Sequence, residues 1–266
     1  MRVLLSFFFF LLAASLPLNL CAGQSVHRPE GQKIPRNSEA RDLFILGFSY
    51  AHGRGIAQDY EKAAEAYELA AKQGYAPAQY NLGRLYLQGK GVAKDADRAI
   101  SYFTQAAEQG LVLAQFSLGA LCENGEGLPK DEAKAFHWYG RAAEQGDAEA
   151  QYRLGILYED GRGVEKDLTK ALSWYTKAAA RGLASAQNNL GTLYEQGAKG
   201  VDKDPAKAVH WYHKAALSGH SLAQYNLSLC YKRGFGVVKN EKKAAFWMRR
   251  AIKNGFVPRS DKKEKK

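Results

Sequence analysis

The stretch Ala76–Gly110, APAQYNLGRLYLQGKGVAKDADRAISYFTQAAEQG, reads as two helices joined by a glycine turn. In the first, Ala78, Leu82 and Leu85 with Tyr86 recur at three- and four-residue spacing and so share one face. That helix stops at Gly89-Lys90-Gly91, where glycine takes positive φ without steric penalty. The second starts at Asp95, whose carboxylate can accept the free backbone N–H groups of a first helical turn.

The same pattern returns along the chain. Gln79 recurs as Gln115, Gln151, Gln187 and Gln224, at spacings of 36, 36, 36 and 37 residues. The extra residue falls in Gln196-Gly197-Ala198-Lys199-Gly200, where the other copies have one residue between two glycines. Closing glycines keep the rhythm at Gly74, Gly110, Gly146, Gly182, Gly219 and Gly255, defining units 39–74, 75–110, 111–146, 147–182, 183–219 and 220–255. Asp59, Asp131, Asp167, Asp204 and Asn240 stand at the Asp95 position, and Pro205 follows Asp204 where a missing N–H costs nothing. Gly47, Gly83, Gly119, Gly155 and Gly191 sit inside the first helix, with Ser228 in the last unit. Glycine there costs about 1 kcal/mol relative to alanine, so its recurrence predicts a neighbour too close for a side chain. The pairs Trp138-Tyr139, Trp174-Tyr175 and Trp211-Tyr212 are expected to fill the space between helices. A single helix pair cannot bury its own apolar face, so the units must stack. The predicted fold is all-α, an α-solenoid of six helix-turn-helix repeats of about 36 residues.

The combination of A-Q, L-G, Y, G-x-G-V, D, K-A, W-Y, A-A and Q-G resembles the Sel-one-like repeat (SLR) family, relatives of the tetratricopeptide repeats, over Glu39 to Gly255. The first unit departs from it at Asp42-Leu43, and the last at Ser228, Asn240 and Met248. Outer units of a solenoid face water, which accounts for such departures. The resemblance implies a protein-binding scaffold. A secreted, cysteine-rich branch of the family resembles penicillin-binding proteins and weakly hydrolyses β-lactams, which gives an alternative reading as an amide hydrolase. That branch has a cysteine pair in each unit; this sequence does not, and it has no Ser-x-x-Lys motif.

Residues 1–23 read as a secretory signal: Arg2, an apolar run from Val3 to Ala14 broken only by Ser6, then Pro17, Asn19 and the small residues Ala22-Gly23. An uncleaved anchor and lipidation of Cys21 are the alternatives. Residues 24–38 read as a linker and 256–266 as a basic tail. The expected location is periplasmic or extracellular in a bacterium, where the family is abundant, or the secretory route of a eukaryote. The expected state is a monomer.

Chemistry-bearing motifs are scarce. The Gly-x-Gly turns follow helices, not strands, and lack the Lys-Ser/Thr of a nucleotide loop. Cys122 and Cys230 lie three units apart, roughly 30 Å at ordinary helix spacing, too far for a disulfide. His210 and His213 share a helix but have no supporting carboxylate or cysteine nearby in sequence, so neither a metal nor a cofactor is expected. Asn226-Leu227-Ser228 is a glycosylation sequon inside an expected helix.

With no catalytic constellation, the candidate site is the surface opposite Ala78, Leu82 and Leu85, expected on the concave side. It comprises Tyr80 with Arg84, Phe116, Tyr152 with Arg153 and Ile156, Asn188 with Thr192, and Tyr225 with Leu229. Its rings either form a ladder for an extended peptide or pack between units. A second candidate is electrostatic. The formal charge is +11, yet residues 24–230 hold 24 basic and 24 acidic side chains, while 231–266 hold 13 and 3. The basic end (Lys232, Arg233, Lys242, Lys243, Arg249, Arg250 and Lys253) is either a solvated cap or a contact for an acidic partner or membrane surface. Charge confined to one end argues against nucleic acid as the partner.

Overall fold

The computed structural model describes residues 36–197 and 200–257. The chain divides into Met1–Ile34 and Pro35–Lys266, and every described residue belongs to the second segment. The signal reading of 1–23, most of the linker and most of the basic tail lie outside the described residues. No helix among those described is long and apolar enough to cross a membrane.

Twelve α-helices among these residues form six consecutive pairs: α1 (Arg36–His52) with α2 (Tyr60–Lys72), α3 (Ala76–Gln88) with α4 (Ala96–Glu108), α5 (Val112–Asn124) with α6 (Glu132–Glu144), α7 (Ala148–Asp160) with α8 (Leu168–Ala180), α9 (Ala184–Gln196) with α10 (Pro205–Leu217), and α11 (Ser221–Arg233) with α12 (Glu241–Lys253). Each helix packs mainly on the one before and the one after it, which makes the array an α-solenoid. Helix α1 begins at Arg36, three residues inside the segment read as linker.

Each second helix is started by one device. Asp95, Asp131, Asp167 and Asp204 each accept the backbone N–H of the residue three further on at 2.9 Å, as does Asn240 from Lys243. Asp59 accepts two such bonds, from Glu61 and Lys62. The Lys or Arg at that third place also pairs with the capping aspartate. In four of these five units the same cation lies over a first-helix tyrosine, as Lys170 does over Tyr158 at 5.3 Å.

The mid-helix glycines face the second helix of their own unit. A Cβ on Gly119 would sit 2.6 Å from the Tyr139 ring, and one on Gly47 would sit 2.7 Å from Tyr67. The tyrosine of each Trp-Tyr pair is fully buried, while Trp138, Trp174 and Trp211 are half-buried and lean on the preceding unit. So the pair divides its labour: tyrosine fills the unit and tryptophan joins it to its neighbour.

The recurrent glutamine forms the junction. Gln79, Gln115, Gln151, Gln187 and Gln224 are all buried. Each donates its Nε2 to the carbonyl of an alanine in the last turn of the preceding unit: Ala71, Ala107, Ala143, Ala179 and Ala216, at 2.9–3.4 Å. A helix leaves its last carbonyls without intrahelical donors; here each accepts the N–H of the closing glycine and, as a second donor, the glutamine side chain of the next unit. In three units the glutamine's own Oε1 is also bonded, by Gln109 to Gln79 at 2.7 Å, Gln145 to Gln115 at 2.7 Å and Asn254 to Gln224 at 3.1 Å. Arg181 and Ser218 occupy the corresponding place in the other two, and Gln151 Oε1 and Gln187 Oε1 are buried without a hydrogen-bond partner.

Two predictions follow from this packing. Gly119→Ala should lower stability by about 1–3 kcal/mol through overpacking, whereas Gly140→Ala, whose new Cβ meets nothing within 4 Å, should raise it. Urea denaturation of the two variants checks the opposite signs. Ser218→Gln should stabilise the protein by about 1 kcal/mol by giving Gln187 Oε1 a donor, read by the same assay.

Candidate interaction face

The first helices turn Ala78, Leu82 and Leu85 and their counterparts into the core, which leaves the opposite side of the same helices half-exposed. Tyr80, Phe116, Tyr152 and Tyr225 lie there, all half-buried. Tyr80 packs on Phe103 at 5.5 Å between ring centroids, Phe116 on Tyr139 at 5.4 Å and Tyr152 on Tyr175 at 5.7 Å. Tyr225 stacks on Phe256 at 4.2 Å, just past α12. The first three of these contacts are made within a unit, while Phe256 is the residue that follows the last unit. Each ring is therefore engaged with a neighbouring ring and remains partly exposed. Phe44 belongs to the same row, packed on Tyr67 and Tyr75. Sequence reading missed it because the first unit lacks the Ala-Gln that sets the phase.

Asn188 departs from expectation. Its register predicts an open surface, but it is 3% exposed and receives a hydrogen bond from Asn226 Nδ2 at 3.1 Å. A short amide leaves room for the neighbouring helix where a ring would hold it off. Thr192 bonds the Asn188 carbonyl and the Tyr212 hydroxyl, so it too is engaged within the fold. Arg84 is exposed, its guanidinium 5.9 Å from the Tyr80 ring centroid, and Ile156 and Leu229 are half-buried. The Asn226 of the sequon is half-buried within α11.

Beside these residues runs a row of carboxylates. Glu123, Glu159 and Glu195 each accept the hydroxyl proton of a buried tyrosine, from Tyr139 at 2.9 Å, Tyr175 at 2.5 Å and Tyr212 at 2.6 Å. Burial drives all three phenols above their ordinary pKa, and the adjacent carboxylates push the same way. Asn189 also donates to the Tyr175 hydroxyl from the following unit, at 3.2 Å. Around Glu123 the row becomes an ion cluster: Arg162 lies 3.1 Å away and Arg153 3.7 Å away, while Arg162 also bonds Glu132 at 2.9 Å. Arg153 Nε is 3.4 Å from Glu149 but lacks hydrogen-bond alignment. Arg153, read as a surface recognition residue, thus takes part in joining the third unit to the fourth.

Residues 40–75, 76–111, 112–147, 148–183, 184–220 and 221–256 match the family model described as the Sel1 repeat. The chain belongs to the Sel1 repeat family. It is similar to a protective antigen of uropathogenic Escherichia coli that displays an SLR fold, at 34% identity and a TM-score of 0.79. That match covers 84% of this chain and 50% of the antigen, so the chain spans half the length of that relative. It is similar also to a Sel1 repeat protein of Oxalobacter formigenes, at 36% identity and a TM-score of 0.75, covering 80% and 86% of the two chains. The comparison with curated proteins gave no match. Sel1 repeat proteins generally serve as protein-interaction scaffolds and are typically non-enzymatic.

The remaining candidates fall into place on the Sel1 units. Cys122 and Cys230 are free and buried, and burial pushes the Cys230 thiol up to about 12, where almost no thiolate exists at neutral pH. His210 packs edge-on to Trp211 and His213 to Trp247, and no group of three metal-ligating side chains occurs among the described residues. Lys232, Arg233, Lys242, Lys243, Arg249, Arg250 and Lys253 are all exposed on the last unit. The Glu–Tyr pairs are visible in the sequence as a paired change. Where Phe103 replaces the tyrosine in the second unit, Leu87 stands in place of the glutamate.

This substitution within one chain predicts the energetics of the others. Glu159→Leu alone leaves the buried Tyr175 hydroxyl without its acceptor, and should cost about 1–3 kcal/mol. Combined with Tyr175→Phe it recreates the Leu87/Phe103 pair, and much of the loss should return. A double-mutant cycle by chemical denaturation measures the coupling.

Proposed function

We propose that this chain is an exported scaffold that binds an extended segment of a protein partner along its first-helix face. The observation that carries the reading is a contrast on the same helices. Inward positions are nearly invariant from unit to unit, as in Ala78, Ala114, Ala150, Ala186 and Ala223, or Leu82, Leu118, Leu154, Leu190 and Leu227. Half-exposed positions change instead: Arg84, Ala120, Ile156, Thr192 and Leu229 occupy one register, and Asn81, Ser117, Arg153, Asn189 and Asn226 another. Packing demands the first kind of repetition, since each unit must fit the next. Of the second kind, Thr192, Arg153, Asn189 and Asn226 are tied into the fold, while Arg84, Ala120, Ile156 and Leu229 vary without such bonds and give each unit its own contact chemistry. Half-buried ring edges add rigid, partly apolar area at low entropic cost, a property of recognition surfaces. Export rests on the basic start and apolar run of residues 1–23.

The test alters the face without removing a ring. Arg84→Glu with Leu229→Glu should abolish recovery of the partner obtained by affinity capture from the native exported fraction and identified by mass spectrometry. The helical circular dichroism and melting temperature should stay unchanged. A control pair on the second helices, Lys72→Glu with Lys177→Glu, should retain the partner. Equal capture by both variants would remove the face from the proposal.

A further inference from the structure

The last unit differs from the other five in surface chemistry. Between residues 231 and 257 stand eight basic side chains and one acidic one, Glu241, which pairs with Lys239 at 3.2 Å. Large apolar side chains are exposed among these cations: Val238 at 89%, Phe246 at 44%, Ile252 at 50% and Val257 at 82%.

Register shows that Phe246 is not exposed merely because the array ends there. Its counterparts are Glu65, Ser101, His137, Ser173 and His210, all exposed and all polar. This position faces solvent in every unit, and only the last places a phenyl ring on it. Ile252 is a second departure, since its counterparts Ala71, Ala107, Ala143, Ala179 and Ala216 are buried alanines under a following unit. On α12, Lys242, Phe246, Arg249 and Lys253 follow one another at helical spacing along one exposed side. A cleft of about 320 Å³ opens between Phe246, Arg250, Lys253 and Asn254, setting a ring and two cations around one rim.

The geometry points to this outer side of α12 as a docking surface for an anionic phospholipid membrane. Cations on a helix whose exposed side also carries phenyl and aliphatic groups match the two layers of a bilayer interface, with phosphates above and acyl chains below. An acidic polypeptide fits less well. It would pair with the cations but leave Phe246, Ile252 and Val257, exposed among them, without an apolar counterpart. The surface is separate from the first-helix face, so a membrane contact here leaves that face open.

Co-sedimentation of the full chain with vesicles tests this. Binding to vesicles of 70% phosphatidylcholine and 30% phosphatidylglycerol should exceed binding to pure phosphatidylcholine at least tenfold in 0.1 M salt, and should fall steeply as salt rises. The apolar run of residues 3–22 contributes to both vesicle types alike, so the difference between them is the readout. Lys242→Glu with Arg249→Glu and Lys253→Glu should cut anionic binding by about 100-fold. Phe246→Ser, which restores the residue type of the other units, should cut it several-fold with circular dichroism unchanged. Three reversals elsewhere, Lys72→Glu, Lys94→Glu and Lys166→Glu, should leave most of the binding in place. Equal binding to both vesicle types overturns the proposal, as does equal loss from the two triple variants. Retention of a poly-glutamate probe without vesicle binding overturns it too, and transfers the surface to an acidic protein.

Discussion

The architecture depends on one hydrogen bond made five times: a buried glutamine amide to the last-turn carbonyl of the unit before. Apolar packing holds helices together but is tolerant of sliding. A buried glutamine amide is not, because moving it off its carbonyl acceptor would leave a buried donor unsatisfied. The glutamine therefore fixes where each unit sits on its predecessor. The close glycine–tyrosine contact does the same inside the unit, where a single added methyl group has no room.

Much of this was legible in the sequence because repetition separates signal from accident. Asp95 alone is a weak capping signal; the same residue type at Asp59, Asp131, Asp167 and Asp204 is a strong one. The interior glycines carried their meaning the same way, since a repeated local cost implies a repeated contact. The interaction face was harder to read for the opposite reason. Its residues vary, so periodicity could place them on a side of the helix but could not say what each one touches. Tyr80, Phe116 and Tyr152 were located in the right register, yet their packing on Phe103, Tyr139 and Tyr175 requires the distance between two helices. Asn188 went unrecognised as buried because its partner, Asn226, is a full unit away. The Glu123–Arg162–Glu132 cluster was missed because it occurs once.

Charge shows a further division. Residues 24–230 are neutral overall, and the excess lies in the last unit and the residues after it. A net charge taken over the chain suggests a uniformly basic protein. Its distribution describes a neutral array with a chemically distinct end, whose α12 meets no further repeat among the described residues.

The two unpartnered glutamine oxygens carry a mechanical consequence. In a stack of nearest-neighbour couplings, strength is set junction by junction. At the third-to-fourth junction Gln151 lacks a donor for its Oε1, but Glu123 and Glu132 reach across to Arg153 and Arg162. At the fourth-to-fifth junction Gln187 lacks one as well, and what spans it is neutral: Asn189 on the Tyr175 hydroxyl and Trp211 against the fourth unit, with no ion pair among the described residues. The fifth unit is also the one lengthened by a residue. An array of six similar modules is thus coupled unequally, with charge added to the third-to-fourth junction and neutral contacts alone holding the fourth to the fifth.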